Sequence, residues 1–123
     1  MSLISLASIA DLAARGGVEA LDPRRFRMLI ELDGCQPYEE DTWVGSRLRV
    51  GQTELRVTGP TYRCLLTTLD PDTGKRDFPT LDLLAAYRRS PGELELGRCA
   101  DVVQAGVIRV GDPVEVLAPR DTG

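Results

Sequence analysis

The sequence predicts a β-dominated, barrel-like α+β domain with two or three helices. Three observations carry this. Short β-branched runs recur along the chain, each closed by a Gly, Pro or Asp-Gly turn. Two stretches, near each end of the first ninety residues, place apolar side chains at helical spacing. With 123 residues, the chain can build one core but not two.

The elements run in order. Leu3 to Arg15 sets Leu6, Ile9, Ala10, Ala13 and Ala14 on one helical face, and Gly16-Gly17 ends it. Phe26 to Leu32 reads as a strand, turned by Asp33-Gly34. Arg24 and Arg25 are expected at the surface, and Arg27 falls on the same strand face as Arg25. Tyr38 to Trp43 is an acidic connector whose single tryptophan anchors it to the core. Arg47 to Val50 and Glu54 to Val57 form two strands about a Gly51-Gln52 turn. Thr61 to Leu69 is a further strand, carrying Cys64 and running into the tight turn Asp70-Pro71-Asp72-Thr73-Gly74. Pro79 to Arg88 is the second helix, capped by Thr80 and stopped by Ser90-Pro91-Gly92. Val102-Val103, Val107 to Val110 and Val114 to Leu117 are β-rich. The domain therefore covers residues 3–117, and Ala118 to Gly123 reads as a frayed tail.

Composition removes several chemistries. The chain has no histidine, which excludes Ser-His-Asp and Cys-His catalysis and His-ligated zinc. A net charge of -4 argues against nucleic acid as a partner. No apolar run is long enough to span a bilayer, so membrane insertion is not expected and a cytoplasmic location is. Cys35, Cys64 and Cys99 are odd in number and lack a Cys-x-x-Cys pair, which fits free thiols in a reducing compartment. Fourteen of the fifteen basic residues are arginine, a bias that codon preference explains as readily as ligand binding.

Cys64 is the chemically prominent residue. A thiolate beside a fixed positive charge binds soft metals and attacks sulfur, and Arg63 stands immediately before it. Cys35 and Cys99 read as structural, and Asp41 as a weaker candidate for orienting a substrate.

Five short motifs in order carry a family resemblance. They are Arg25-Phe26-Arg27, Tyr38 to Trp43, Arg63-Cys64, Thr67 to Gly74, and Val107-Ile108-Arg109-Val110-Gly111-Asp112. Together they resemble a MOSC domain, the C-terminal domain of molybdenum cofactor sulfurases, and within that family the amidoxime-reducing group. The resemblance implies a mostly β fold and a molybdenum cofactor (molybdopterin) whose metal is ligated by Cys64. It also implies cofactor contacts from Arg27, Arg63, Ser5 and Ser8, the two serines lying in a Ser-x-Ala-Ser pattern. Reduction of N-hydroxylated compounds is the implied activity. Two alternatives stand beside it: a metal-free sulfur carrier or sulfurtransferase accessory holding a Cys64 persulfide, and a non-catalytic binding or dimerisation module.

Three departures from the family pattern matter. Met28-Leu29 replaces the usual Pro-Asn, and Tyr62 stands where relatives carry a small residue. The reductases of the family also have an N-terminal β-barrel domain that helps enclose the cofactor, whereas this chain begins almost at the MOSC helix. A homodimer or a partner chain replacing that barrel is therefore expected, with a small-molecule cofactor or sulfur donor as the other partner.

Overall fold

A computed structural model describes residues 1–90 and 93–117. The strands are β1 (Ser2–Ser5), β2 (Ile30–Leu32), β3 (Arg47–Val50), β4 (Thr53–Tyr62), β5 (Arg89–Ser90), β6 (Glu93–Gln104) and β7 (Val114–Val116). The helices are α1 (Leu6–Arg15) and α2 (Thr80–Tyr87), and 3-10 turns occupy Pro23–Phe26, Glu39–Trp43 and Leu65–Thr68. Six strands run in the order β2-β1-β6-β4-β3-β7 and curl into a half-barrel, with β5 paired on β6. The β1–β2 pair is parallel; the others are antiparallel. The expected β-rich, barrel-like class with two helices is what the chain adopts.

Two cores lie on opposite faces of this sheet. One gathers Leu3, Leu32, Trp43, Leu48, Leu55 and Val57; the other packs Ile4 and Leu96 against Ile9 and Leu12 of α1, Leu84 of α2, Phe26 and Phe78. Successive strand residues point to opposite faces, so Leu3 and Ile4 serve one core each and β1 is buried on both sides. Leu96 and Ala100 of β6 are four residues apart yet belong to different cores. The register shifts between β4 and β6 and the left-handed Gly97 (φ 87°) account for this, because a bulge reverses the facing of the residues beyond it. A Cβ at Gly97 would lie 3.2 Å from Leu3 O and 2.5 Å from the movable end of Met28, so it is the left-handed backbone more than the space that calls for glycine here.

Several boundaries differ from expectation. The first helix starts at Leu6, not Leu3, because Ser2–Ser5 is drawn into the sheet between β2 and β6. Ser5 caps it, its Oγ accepting from Ser8 N at 3.1 Å. The strand expected over Phe26 to Leu32 shrinks to Ile30–Leu32, since Arg27 takes a left-handed conformation (φ 53°) that breaks the extended chain. Arg25 is buried and Arg27 exposed, so the two do not share a face. The strand expected over Thr61 to Leu69 ends at Tyr62. Beyond it Thr67 donates from N (3.1 Å) and Oγ1 (2.9 Å) to Cys64 O, and Thr68 Oγ1 donates to Leu65 O at 2.6 Å. Such threonine bonds offer the backbone an alternative to a ladder.

Thr80 is not the cap of α2; Pro79 holds that position, and the buried Thr80 hydroxyl donates to Thr67 O at 2.8 Å. Val107 to Val110 lies outside any strand, while β6 extends well beyond the expected Val102-Val103. The Pro91-Gly92 stop and the tail Ala118 to Gly123 lie outside the described residues.

Candidate functional site

Cys64 sits where β4 gives way to the Leu65–Thr68 turn, and its thiol is exposed. The other two cysteines are half-buried. Burial, reinforced by Glu39, Glu40 and Asp33, pushes the Cys35 thiol up, and Cys99 Sγ lies 3.5 Å from Thr61 Oγ1. Cys64 is the most exposed of the three.

Arg63 turns the other way. Its guanidinium donates to Leu96 O (Nε, 2.9 Å) and Phe26 O (Nη1, 2.7 Å), and Nη2 reaches Met28 Sδ at 2.8 Å. Desolvation pulls its pKa down to about 10, which leaves it cationic at neutral pH. Arg25, from the segment that Arg63 grips, reaches back the opposite way. Its Nη1 donates to Thr67 O at 3.0 Å and its Nη2 pairs with Asp77 at 3.0 Å. Each arginine thus binds a backbone carbonyl in the other's segment. The Cys64 turn and the Arg27 turn are tied together at two points.

Between these turns lies an open cleft of about 200 Å3, walled by Cys64, Tyr62, Leu66, Arg27 and Phe26. Arg27 and Leu66 also wall a neighbouring cleft of about 310 Å3 that runs to Asp70, Pro71 and Gly74. Arg27 is exposed, and among the described residues its guanidinium has neither an ion pair nor a hydrogen bond. The strained left-handed backbone aims a free cation at both clefts. The Asp70–Gly74 segment is the expected turn. Asp70 Oδ1 accepts from Asp72 N and Thr73 N at 2.8 and 3.1 Å, which lowers its pKa, and Gly74 has φ 72°.

Of the residues expected at the cofactor, Cys64, Arg27 and Arg63 come together, with Arg63 beneath the wall rather than facing out. Ser5 and Ser8 do not reach this cleft. Both are fully buried and committed to Glu40: Ser5 N donates to Oε2 at 2.8 Å, and Ser8 Oγ lies 3.0 and 2.9 Å from the two oxygens. Glu40 is a buried carboxylate stapling the Glu39–Trp43 turn to the start of α1. Asp41 is likewise occupied, its oxygens held by Arg88 (2.7 Å) and Arg98 (2.8 Å). Sequence reasoning missed Arg25 as a brace, because its partners lie 42 and 52 residues away.

The chain belongs to the MOSC domain family, whose model matches residues 1–115. The human mitochondrial amidoxime-reducing component 1 is 38% identical over 125 residues, covering 94% of this chain and 36% of that protein. The human mitochondrial amidoxime reducing component 2 is 39% identical over 117 residues, covering 88% and 34%. The chain thus spans about a third of the length of these curated relatives. The crystal structure of YiiM from Geobacillus stearothermophilus shares the fold, with a TM-score of 0.67 at 19% identity over 96% of this chain and 54% of that one. Among the described residues, no helix is long and apolar enough to cross a membrane.

Proposed function

We propose that the chain binds the molybdenum cofactor, with Cys64 as metal ligand and Arg27 on the cofactor phosphate, and serves reduction of N-hydroxylated compounds. The observation that carries this is the pairing of an exposed thiol with a guanidinium that has no partner among the described residues, on one cleft held by reciprocal arginine ties. The donor set fits the group. A thiolate is a soft ligand for a soft, sulfur-rich metal centre, and arginine is the preferred fork for phosphate. The bound cofactor would supply two-electron redox chemistry for cleaving an N–O bond. Cys64 would hold the metal at the mouth of the cleft, and Arg27 would neutralise phosphate charge. Arg63 and Arg25 act as positioning residues, keeping thiol and cation at a constant separation.

We also infer that the open side of the half-barrel is covered in the working protein by a second copy or a partner chain. β2 and β7 end the sheet, and exposed Leu29, Val110 and Val114 border a cleft of about 630 Å3 between them.

The deciding experiment is elemental analysis of protein made in a host that synthesises the cofactor, with Cys64→Ala alongside. Near-stoichiometric molybdenum that vanishes in the variant is expected. No molybdenum in the wild type would overturn the reading, and an intact mass increased by about 32 Da, one sulfur atom on a thiol, would then favour persulfide carriage on the same exposed cysteine.

A further inference from the structure

Tyr62 and Cys64 flank Arg63, and Arg63 points inward to Phe26 O and Leu96 O. Side chains alternate along extended backbone, so Tyr62 and Cys64 emerge together on the outer face, roughly 7 Å apart along the chain. Both are exposed, and both wall the same cleft. The backbone at Tyr62 is held by β6. Tyr62 pairs with Glu95 across the ladder, and Arg63 N donates to Leu94 O at 2.8 Å. The Tyr62 side chain stands over the cleft from the end of β4.

Yet this wall is not used internally. Tyr62 is 53% exposed, and among the described residues its hydroxyl has no hydrogen-bond partner. Leu66 (47% exposed) continues the apolar rim past Cys64, whereas Leu65 lines a separate cleft with Phe78 and Pro79. The rim therefore offers one aromatic face and one aliphatic side chain beside an exposed thiol. Leucines reward any apolar group by area alone, whereas an aromatic face adds a stacking preference for another planar ring.

We propose that Tyr62 is a specificity-determining residue that selects substrates bearing a planar aromatic group over aliphatic ones of the same chemistry. This rests on the reading of Cys64 as the centre of the reducing site. The expected preference is about fivefold, the range an aromatic pair contributes beyond its buried area.

The test is a ligand-observed NMR titration of the full chain with N-hydroxybenzamidine and with its cyclohexyl counterpart, which reads binding without turnover. The phenyl probe is expected to bind about fivefold more tightly. Tyr62→Phe should keep that difference, and Tyr62→Ala should abolish it while weakening both probes, since each loses the area the ring buries. Equal affinity of the wild type for both probes, or a phenyl preference that survives Tyr62→Ala, overturns the proposal, as does absence of binding by either probe. Molybdenum content of the same preparations is read separately. Full metal without phenyl preference fails Tyr62 alone, and phenyl preference without metal fails the cofactor reading alone.

Discussion

Arg25 and Arg63 cross the same seam in opposite directions, each donating to a backbone carbonyl in the other's segment: Arg25 Nη1 to Thr67 O at 3.0 Å, and Arg63 Nη1 to Phe26 O at 2.7 Å. Loss of either guanidinium leaves a carbonyl without its charged donor. Such bonds are worth about 1.5–3 kcal/mol each, so Arg25→Met and Arg63→Met should each lower unfolding free energy by about 3 kcal/mol in urea titrations. Lysine should not rescue position 63, because one ammonium cannot reproduce a fork spanning Phe26 O and Leu96 O. The double variant should lose less than the two single losses added together, since both residues hold one seam. Strict additivity would mean that the ties act independently.

Asp41 makes the acid limb of stability predictable. Burial raises its carboxyl pKa, but the guanidinium hydrogen bonds of Arg88 and Arg98 more than offset this, and the net shift is downward. A carboxylate whose folded pKa lies below its unfolded value contributes stability above the unfolded value, about 3.9, and loses it as pH falls through the folded pKa. Unfolding free energy should therefore drop on acidification below about pH 4. Asp41→Asn should cost about 2 kcal/mol at pH 7, where Arg88 and Arg98 keep only the more distant Glu95 as counter-charge, and should flatten the acid limb. Identical acid limbs for the two proteins would remove Asp41 as a contributor.

What the sequence made legible were the features that local pattern controls. The β3–β4 hairpin about Gly51-Gln52 and the Asp70–Gly74 turn arise from their own residues; of the predicted α1 face, Ile9 and Ala13 are buried, whereas Ala10 and Ala14 are exposed and Ser8 and Leu12 take their place. Cys64 was singled out from Arg63-Cys64 and its surrounding motif, and it is the exposed cysteine at the end of β4. The end of that strand was not legible, because the Thr67 and Thr68 bonds that curl the chain compete on nearly equal terms with a ladder. Ser5 and Ser8 resemble cofactor ligands in the sequence, yet Glu40, more than thirty residues on, engages them both. Nothing near Arg25 distinguishes a buried brace from a surface arginine. Long-range pairing of buried charges leaves no periodic trace.

The unpaired outer edges of β2 and β7 lead to a prediction about assembly. Exposed strand edges beside apolar side chains recruit further strands or chains. Sedimentation velocity at rising protein concentration should give a species heavier than the 13.4 kDa chain, or the chain should co-purify with a stoichiometric partner. Leu29→Glu, on the rim of the cleft between the two edges, should shift the distribution toward monomer without altering the two cores. A single 13.4 kDa species at every concentration, with no partner, would remove the proposed cover.

Arg27 separates strain from stability. A non-glycine residue at φ 53° carries a backbone cost of about 1 kcal/mol that glycine relieves, and the exposed Arg27 side chain has no partner among the described residues to repay it. Arg27→Gly should therefore leave unfolding free energy unchanged or raise it by up to about 1 kcal/mol. The same substitution deletes the free cation between the two clefts and should lower molybdenum loading severalfold, with Arg27→Lys recovering part of it through charge alone. Stability and loading would then move in opposite directions, the behaviour expected of strain retained for a ligand rather than for the fold. If Arg27→Gly loaded metal as well as the wild type, the cofactor phosphate would have to be held by other groups, and the left-handed turn would serve only to bring Arg25 inward.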